Sequence, residues 1–295
     1  MTDAAAQVAG RVTLRRAEAG DAEACGQILF DAFGGLHDQH GFPRDFPAVE
    51  GAVGLMERWI GRRSIWGVVA EIDGRIVGSN FLDERDPIRG VGPITVAPGA
   101  QDSGVGRRLM EAVLERGRGA TGIRLLQDAF NMRSLSLYES LGFDVKEPVV
   151  VVGGSPLSGP VEGVDVRPLE ESDLGSCGAL CRRVHGFDRT GALRDSIEAL
   201  APFAAERNGR IVAYVSGAAF WTVSHGVAES EDDMRALLLG AAAATDEPLS
   251  FLVPVRSSLV RWCLREGLRL LKPMNLMALG EYREPRGSWF PSVLY

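Results

Sequence analysis

The chain repeats one of its own patterns, and this repeat limits the possible folds more than any other feature. Valine, arginine, glutamate and aspartate at three-residue intervals, followed by a Cys-Gly pair, occur in residues 12–26 and again in residues 164–178. Two shorter matches keep the same order along the chain: residues 74–77 are identical to 209–212 (GRIV), and residues 141–143 weakly match 266–268. Chance can produce any one short match, but three in the same order favour two copies of one fold in tandem.

The stretch between the two copies has the composition of a linker. Residues 153–163 (GGSPLSGPVEG) are rich in Gly, Pro and Ser and have no apolar period. A length of 295 residues also allows about two domains. The sequence therefore predicts an N-terminal domain over 1–152, a linker over 153–163 and a C-terminal domain over 164–295.

The charge and the hydropathy of the chain limit the kinds of partner that the protein can bind. The chain has 32 basic and 39 acidic residues, a formal net charge of -7, which argues against a general nucleic-acid or anionic-membrane binder. No apolar run reaches the ~20 residues that span a bilayer, and residues 1–16 lack the apolar core of a secretion signal. We expect a cytoplasmic protein with no nucleic-acid and no membrane partner.

Cysteine and histidine do not form a metal-binding pattern. The four cysteines include no CxxC pair, and the spacing of Cys177 and Cys181 predicts buried thiols on one face of a helix. His37 and His40 lie in a segment with loop-like composition, GLHDQHGFPRDFP, and do not form the HExxH pattern of a zinc helix. We expect no metal.

Apolar periodicity predicts a mixed α/β fold in the first copy. Strands are predicted over 12–16, 66–71, 76–82, 91–96 and 123–130, and helices after Asp21, over 104–116 and over 134–141. Asp73-Gly74 predicts a tight hairpin, Pro93 an edge or bulge in its strand, and Gly142 the end of the last helix. Because strands precede, separate and follow the helices, a mixed sheet is favoured over a bundle or a sandwich.

Residues 94–109 (ITVAPGAQDSGVGRRL) combine a strand, a glycine turn and the start of a helix. The first turn of a helix has unpaired N–H groups and the positive end of the helix dipole, which attract an anion. Gly104 and Gly106 leave room for phosphate to approach these amides. Two or three charge-assisted bonds of about 1.5–3 kcal/mol each, less desolvation, would hold a diphosphate. Neither GxGxxG nor a Walker A pattern is present.

Two motifs together resemble the GNAT family of acetyltransferases. Residues 101–106 (QDSGVG) resemble its acetyl-CoA signature, Q/R-x-x-G-x-G/A, and residues 131–143 (NMRSLSLYESLGF) resemble its N-x-x-[AS]-x-x-x-Y-x-x-x-G-F ending. The hairpin of residues 66–82 lies where the family has its second and third strands. The resemblance covers about residues 12–150, and the whole chain is similar to two-domain members with a degenerate second copy.

The resemblance implies an N-acetyltransferase that uses acetyl-CoA as co-substrate and acts on an amine. No cysteine lies in the two motifs, which disfavours an acyl-enzyme and favours direct transfer in a ternary complex. The acceptor would be a small molecule or a peptide. Backbone atoms of Ile94, Thr95 and Val96 would hold the pantetheine arm. The pyrophosphate would be held by the loop residues Gln101, Asp102, Ser103, Gly104, Val105, Gly106 and Arg107. Asn131 would bind the cofactor side, and Tyr138 would face the thioester sulfur and protonate the departing thiolate. A helix aromatic packed in the core is the alternative for Tyr138.

The sequence assigns no general base. The strand before the glycine loop has no carboxylate. Asp83, Glu84 and Asp86 lie just before that strand and could act through water, but a solvated loop acid is the favoured interpretation of each. In the second copy, residues 229–234 (ESEDDM) place four carboxylates where the first copy has its glycines, which would repel a diphosphate. We therefore expect that copy to have lost cofactor binding. A non-catalytic acyl-CoA-binding sensor, whose second copy binds a metabolite, remains the alternative function.

Overall fold

The computed structural model describes residues 12–245 and 247–294, and they form two compact units. The first unit takes in the described residues up to Glu84 together with Arg89–Ala120. The second takes in Arg85–Ile88 and the described residues from Thr121 onward. The predicted domain division at 153–163 follows the sequence repeat, whereas these units follow spatial contacts, and the domain division stays a prediction.

The first unit is an antiparallel sheet with three helices. Its strands are β1 (Val12–Arg16), β2 (Ile65–Ile72), β3 (Arg75–Asp83), β4 (Ile88–Val91, of which residues 89–91 belong here) and β5 (Thr95–Val96). Its helices are α1 (Ala22–His40), α2 (Val49–Ile60) and α3 (Val105–Arg116). The strands lie in the order β1-β2-β3-β4, and β5 pairs with a different part of β3.

Two turns in this unit show how local sequence sets the chain path. The predicted hairpin at Asp73-Gly74 joins β2 to β3, and both residues have positive φ angles, 49° and 73°. This is the conformation that a two-residue hairpin turn needs. The predicted strand over 91–96 is instead two strands, because Pro93 lies between them and has no N–H to continue the ladder.

The prediction of a loop around His37 and His40 was wrong. Both residues lie in α1, which continues to His40 and ends at Gly41 with a φ of 71°. The pair Gly34-Gly35 weakens the local helix signal. Tertiary packing stabilises the end of this helix instead, because α1 lies against α2 and the side chain of His37 is completely buried.

The second unit contains nine strands and five helices among the described residues from Thr121 onward. The strands are β6 (Gly122–Asp128), β7 (Asp144–Gly154), β8 (Asp165–Pro168), β9 (Phe203–Arg207), β10 (Arg210–Val215), β11 (Gly226–Ala228), β12 (Leu249–Pro254), β13 (Arg269–Gly280) and β14 (Ser288–Phe290). The helices are α4 (Met132–Ser140), α5 (Leu174–His185), α6 (Thr190–Ala199), α7 (Glu231–Ala244) and α8 (Ser258–Arg265). Cys177 and Cys181 are buried free thiols on α5, as predicted.

The strands of this unit form two antiparallel runs, β6-β13-β7-β12 and β14-β11-β10-β9-β8. The valines of β7 alternate between two hydrophobic clusters: Val150 and Val152 join one, and Val149 and Val151 the other. Successive side chains of a strand point to opposite faces, so β7 separates the two cores. The predicted linker begins inside this strand, since Gly153 and Gly154 still pair with β12.

Strand β13 lies between β6 and β7. Met274 is opposite Asp128 of β6 on one side and Val149 of β7 on the other. The sequence repeat assigns β6 and β7 to the first copy and β13 to the second. A strand of the second copy is therefore inserted between two strands of the first, and β7 of the first copy pairs in turn with β12 of the second.

The repeated Arg-x-x-Glu-x-x-Asp pattern forms the same Arg–Asp salt bridge in both copies, and we call this salt bridge the clamp. In the first unit, the Arg15 guanidinium donates to both carboxylate oxygens of Asp21 (2.7 and 2.9 Å) and to Glu71 (2.8 Å). In the second unit, Arg167 donates to Asp173 (2.7 and 2.9 Å) and to Glu206 (3.2 Å). Each clamp joins the first strand of its copy to the turn that starts the following helix.

The repeated Cys-Gly pair has a packing explanation. The Cys25 and Cys177 side chains are completely buried. A Cβ atom at Gly26 would lie 2.5 Å from Cα of Val53 in α2, and one at Gly178 would lie 2.8 Å from Cγ2 of Thr190 in α6. In both copies the glycine therefore lets the first two helices approach closely.

Replacing either clamp aspartate with asparagine should lower the free energy of unfolding by about 1–2 kcal/mol, since a charged partner of a bidentate arginine is lost. The arginine lowers the pKa of Asp21 and of Asp173 below the ordinary value. The stabilisation is therefore present above about pH 4 and disappears as pH falls through the folded-state pKa. Urea unfolding of D21N and D173N at pH 7 and pH 3 measures this.

The matched control is D31N, because Asp31 is exposed on α1 and its carboxylate accepts hydrogen bonds from the Gln27 side chain. It should change stability by less than about 0.5 kcal/mol. A D21N or D173N protein as stable as D31N at pH 7 would contradict a stabilising role for the clamp.

Candidate functional site

The glycine loop predicted to bind phosphate lies in the first unit, between the end of β5 and the start of α3. Residues 98–100 form a short 3-10 turn, and the Ser103 hydroxyl donates to the carbonyl of Ala100. The Gln101 side-chain amide donates to the carbonyl of Val96 at 3.3 Å. Asp102 and Gly104 have positive φ angles, 61° and 84°. The loop is thus held in shape by bonds to its own backbone.

Helix α3 begins immediately after this loop without a side-chain cap. Gly104 occupies the capping position, so the capping residue has no side chain that could accept a hydrogen bond from the first-turn amides. Val105 is buried, the first turn has no acidic residue, and Arg107 is exposed there with Glu111 at 4.0 Å. An uncapped N-terminus with adjacent positive charge suits a phosphate-bearing ligand. Residues 101–107, which are predicted to bind phosphate, therefore lead directly into a helix N-terminus with the charge and the uncapped amides that suit a diphosphate.

The strand that precedes the loop is short and is paired on one side. Gly78 and Ser79 of β3 lie opposite Val96 and Thr95, and the Ser79 and Thr95 hydroxyls are 3.0 Å apart. Within its own unit, β5 pairs with β3 alone among the residues described. Ile94 precedes the strand and is partly buried. Thr95 and Val96, two of the three residues predicted to hold the pantetheine arm, therefore lie in a strand that has one edge unpaired within its unit.

Asn131 caps α4 in the second unit. Its Oδ1 atom accepts a hydrogen bond from the backbone N–H of Ser134 at 3.1 Å, and its carbonyl accepts from the Gln127 side chain at 2.8 Å. Gln127 in turn accepts from Asn275 of β13 at 2.9 Å. The N-x-x-S part of the motif is thus a helix cap in this fold. The predicted cofactor contact of Asn131 stays a prediction.

Tyr138 lies on α4, with 6% of its surface exposed, and its ring is 6.3 Å from that of Phe143. Burial, and to a smaller extent the negative charge of Asp128, raise the pKa of its phenol well above the ordinary value. Nothing among the described residues hydrogen-bonds to its hydroxyl. The side chain is therefore a neutral phenol at ordinary pH, with a proton available for donation.

A buried ion pair near Tyr138 was missed in the sequence. The Lys272 ammonium lies 2.9 Å from Oδ1 of Asp128, and both side chains are almost fully buried. The same ammonium lies 4.6 Å from the centre of the Trp221 ring. Lys272 is brought to β6 by the inserted strand β13. The sequence feature that could have indicated this ion pair is a lysine inside the apolar run RLLKPMNLMAL.

The interpretation as a solvated loop acid was wrong for Asp83, whereas Glu84 and Asp86 do lie in a loop but are partly buried and have specific partners. Asp83 belongs to β3 and is buried. Glu84 binds the Arg116 guanidinium, at 2.8 and 3.1 Å. The Asp86 carboxylate accepts from the backbone N–H groups of Gly191 and Ala192 at 2.9 and 3.0 Å, at the start of α6. Periodicity did not show these tertiary partners, because they come from distant parts of the sequence.

The second copy differs at the position of the glycine loop. Only Glu229 and Ser230 separate β11 from α7, and Ser230 caps the helix by accepting from the N–H of Asp233 at 3.2 Å. The acids there have arginine partners: Arg183 and Arg210 for Glu229, Arg235 for Glu231 and Asp232, and Arg207 for Asp233. The edge of β11 away from β10 pairs with β14.

Two properties of the described residues concern membranes and metals. No helix within residues 12–245 and 247–294 is both long and apolar enough to cross a bilayer. Those same residues contain no group of three or more His, Cys, Asp or Glu side chains placed to hold a metal ion.

Comparison with known proteins gives a family match for part of the chain. A model described as "Acetyltransferase (GNAT) family" matches residues 27–143. A curated relative, mycothiol acetyltransferase of Beutenbergia cavernae, is 34% identical over 90 residues. That match covers 30% of this chain and 30% of the relative, so the chain aligns with less than a third of that protein.

Solved structures show the fold. A putative acetyltransferase from Pyrococcus horikoshii has a TM-score of 0.76 at 18% identity, over 96% of this chain and 94% of its own. A tandem GNAT protein from the clavulanic acid biosynthesis pathway has a TM-score of 0.56 at 13% identity, over 91% and 98%. The predicted mixed α/β, GNAT-like tandem fold is confirmed. Residues 27–143 thus match the acetyltransferase (GNAT) family.

Proposed function

We propose that this protein is an acetyl-CoA-dependent N-acetyltransferase that transfers the acetyl group directly to an amine. The observation that carries the proposal is the uncapped start of α3 behind a self-bonded glycine loop. Helix α7 of the second copy has a serine cap and three acids in its first turn. The contrast within one chain supports diphosphate binding by the first copy alone.

The proposed contacts follow the sequence of the loop. Gln101, Asp102, Ser103, Gly104, Val105, Gly106 and Arg107 would hold the pyrophosphate, chiefly through backbone N–H groups. The backbone of Ile94, Thr95 and Val96 would hold the pantetheine arm in the manner of an added strand. Asn131 would bind the cofactor side. Acetyl-CoA, when bound, supplies the acetyl group as a thioester.

Tyr138 is proposed as the general acid. Its buried, neutral phenol would give its proton to the sulfur as the carbon–sulfur bond breaks, which prevents release of a free thiolate. The attacking amine must be neutral, which costs about 4–5 kcal/mol at pH 7 for a lysine-like amine. Because Glu84 and Asp86 have other partners and Asp83 lies in a strand, we propose none of them as the base.

The acceptor is proposed only as a primary amine of a small molecule or a peptide. The relative's name, mycothiol acetyltransferase, supports acetyl transfer, but the match covers too little of either chain to transfer its acceptor. The cytoplasm remains the proposed location, and nucleic acid and membrane are not proposed partners.

Calorimetry should find one acetyl-CoA bound per chain. In the second copy, β14 occupies the outer edge of β11, Ser230 caps α7, and the glycine loop is missing. That copy therefore offers neither a free strand edge nor free helix amides. Titration of the purified chain measures the stoichiometry. Two equivalent sites per chain would contradict the assignment of cofactor binding to the first copy.

Thiol release from acetyl-CoA across amines, aminoglycosides, amino acids and peptides tests the enzyme against the sensor. Turnover with any amine supports the enzyme. Tight binding of acetyl-CoA without turnover on every acceptor supports the acyl-CoA-binding sensor instead.

A further inference from the structure

Gln127 of β6 holds the start of α4 with its side-chain amide. The residue is buried, and its Nε2 atom donates to the carbonyl of Asn131 at 2.8 Å and to the Ser134 hydroxyl at 3.1 Å. The Ser134 hydroxyl donates in turn to the same Asn131 carbonyl at 3.0 Å. That carbonyl also accepts the hydrogen bond of the first helical turn, from the N–H of Leu135 at 3.1 Å. The Gln127 amide is therefore bonded directly to the first turn of α4.

Asn275 of β13 decides which way this amide points. It lies directly opposite Gln127 in the register of β13 and β6, so the two side chains are neighbours across the strands. Its Nδ2 atom donates to Oε1 of Gln127 at 2.9 Å. If the Gln127 amide were turned by 180°, its oxygen would face the carbonyl oxygens of Asn131 and Asp128, which cannot donate to it. The donor of Asn275 therefore favours the orientation that supports the helix start.

The position of Tyr138 depends on this helix start. Tyr138 lies on α4 one turn after Ser134, and its ring packs near that of Phe143. None of the described residues fixes its hydroxyl by a hydrogen bond. Because α4 has only nine residues, a shift of its first turn moves the phenol as well. A proton donor must lie within hydrogen-bond distance of the atom that it protonates, and a displacement of about 1 Å can lower the rate about 10²-fold.

We propose that Asn275 is a positioning residue for acetyl transfer, which acts through Gln127 to hold the first turn of α4 and, with it, Tyr138. The proposal rests on the proposed role of Tyr138 as the general acid. The sequence repeat assigns Asn275 to the second copy and Tyr138 to the first. The second copy, which is not expected to bind the cofactor, thus supplies a hydrogen-bond donor that supports the helix of the general acid.

Two substitutions of similar size test the donor. N275L removes it, and N275D replaces it with an acceptor, which favours the turned amide of Gln127. We expect kcat to fall about threefold in N275L and about tenfold in N275D. The Kd for acetyl-CoA, measured by calorimetry, should change less than about threefold, because the glycine loop is outside the hydrogen-bonded chain that is altered. Asn275 is only partly buried, so both variants should fold.

The matched control is S136A. The Ser136 hydroxyl lies on the exposed side of α4 and donates to the carbonyl of Met132 at 2.8 Å. Its loss removes a hydrogen bond from the same helix without changing the bonds of Gln127 or Asn275. S136A should therefore keep the kcat of the wild type.

Two readouts separate positioning from a general loss of stability. In a Y138F background, N275D should lower kcat by less than about twofold, since the position of the helix no longer matters once the general acid is gone. A loss caused by destabilisation would persist there. Hydrogen exchange gives a readout that is independent of turnover: the amides of Ser134 and Leu135 should exchange faster in N275D than in the wild type or S136A.

The proposal is overturned if N275L and N275D have the kcat of S136A, if N275D lowers kcat equally with and without Tyr138, or if exchange at the helix start is unchanged. If N275D does not fold, N275L decides by the same comparisons. A wild-type chain without turnover on any amine, or a Y138F variant with undiminished kcat, would count against the proposed transferase. Hydrogen exchange would then still decide whether Asn275 holds α4.

Discussion

Replacing Tyr138 with phenylalanine is expected to lower kcat by about 10²–10⁴, which is the usual contribution of a general acid. The Kd for acetyl-CoA should change less than about twofold, because the phenol is proposed to act only as the carbon–sulfur bond breaks. The ring stays buried against Phe143 in the variant, so folding should be preserved. Steady-state kinetics with a responsive amine, together with calorimetry, separate the two quantities.

The pH profile gives an independent readout of the same residue. Burial raises the pKa of Tyr138 well above that of an ordinary tyrosine, so its proton is retained as pH rises. Activity should therefore show no loss near pH 10 from ionisation of this phenol. Tyr282, a half-buried tyrosine in the same unit, supplies the control: Y282F removes a hydroxyl outside the proposed machinery. A Y138F enzyme with the kcat of Y282F would remove Tyr138 from the mechanism.

Introducing a carboxylate at Gly106 should raise the Kd for acetyl-CoA by about 100-fold, since one negative charge would then lie in the helix turn proposed to bind the diphosphate. The same carboxylate interacts favourably with the helix dipole, so G106D should not be unfolded by its charge. Calorimetry and thermal unfolding of one preparation measure both effects. Lost affinity at undiminished Tm is the expected combination.

Two further variants separate charge from size and from loop damage. G106N has nearly the shape of G106D without its charge and should raise Kd by about tenfold or less. G99D places the same charge at an exposed loop position where a Cβ meets nothing within 4 Å. It should bind nearly as the wild type does. Equal affinities of G106D and G106N would argue against a diphosphate at this helix start.

Local sequence predicted the elements that depend on local interactions. The predicted bounds of β1 are the observed ones, and the hairpin at Asp73-Gly74 follows from two residues that tolerate positive φ. Helix α3 begins one residue after its predicted start, because Gly104 is the capping residue. The end of α1 was missed because its last turns depend on packing against α2, which short-range periodicity does not contain.

The candidate site shows the same difference between residues placed by local sequence and residues placed by long-range contacts. The glycine loop, Asn131 and Tyr138 were located by motif and spacing. The Asp128–Lys272 pair and the partners of Glu84 and Asp86 join residues far apart in the sequence. The order of strands in the sheet decides such contacts. The order β6-β13-β7 could not be predicted, because the apolar pattern of each strand does not show which strands it pairs with.

The position of β13 has a consequence for how such a chain can have evolved. Once a strand from the later half pairs with both β6 and β7, each half depends on the other for hydrogen-bond partners along its full strand length. A recombination event that moved one half elsewhere would leave the remaining half with unpaired strand edges, which favour aggregation. The pairing of β13 with β6 and β7 therefore ties the two copies of the repeat together.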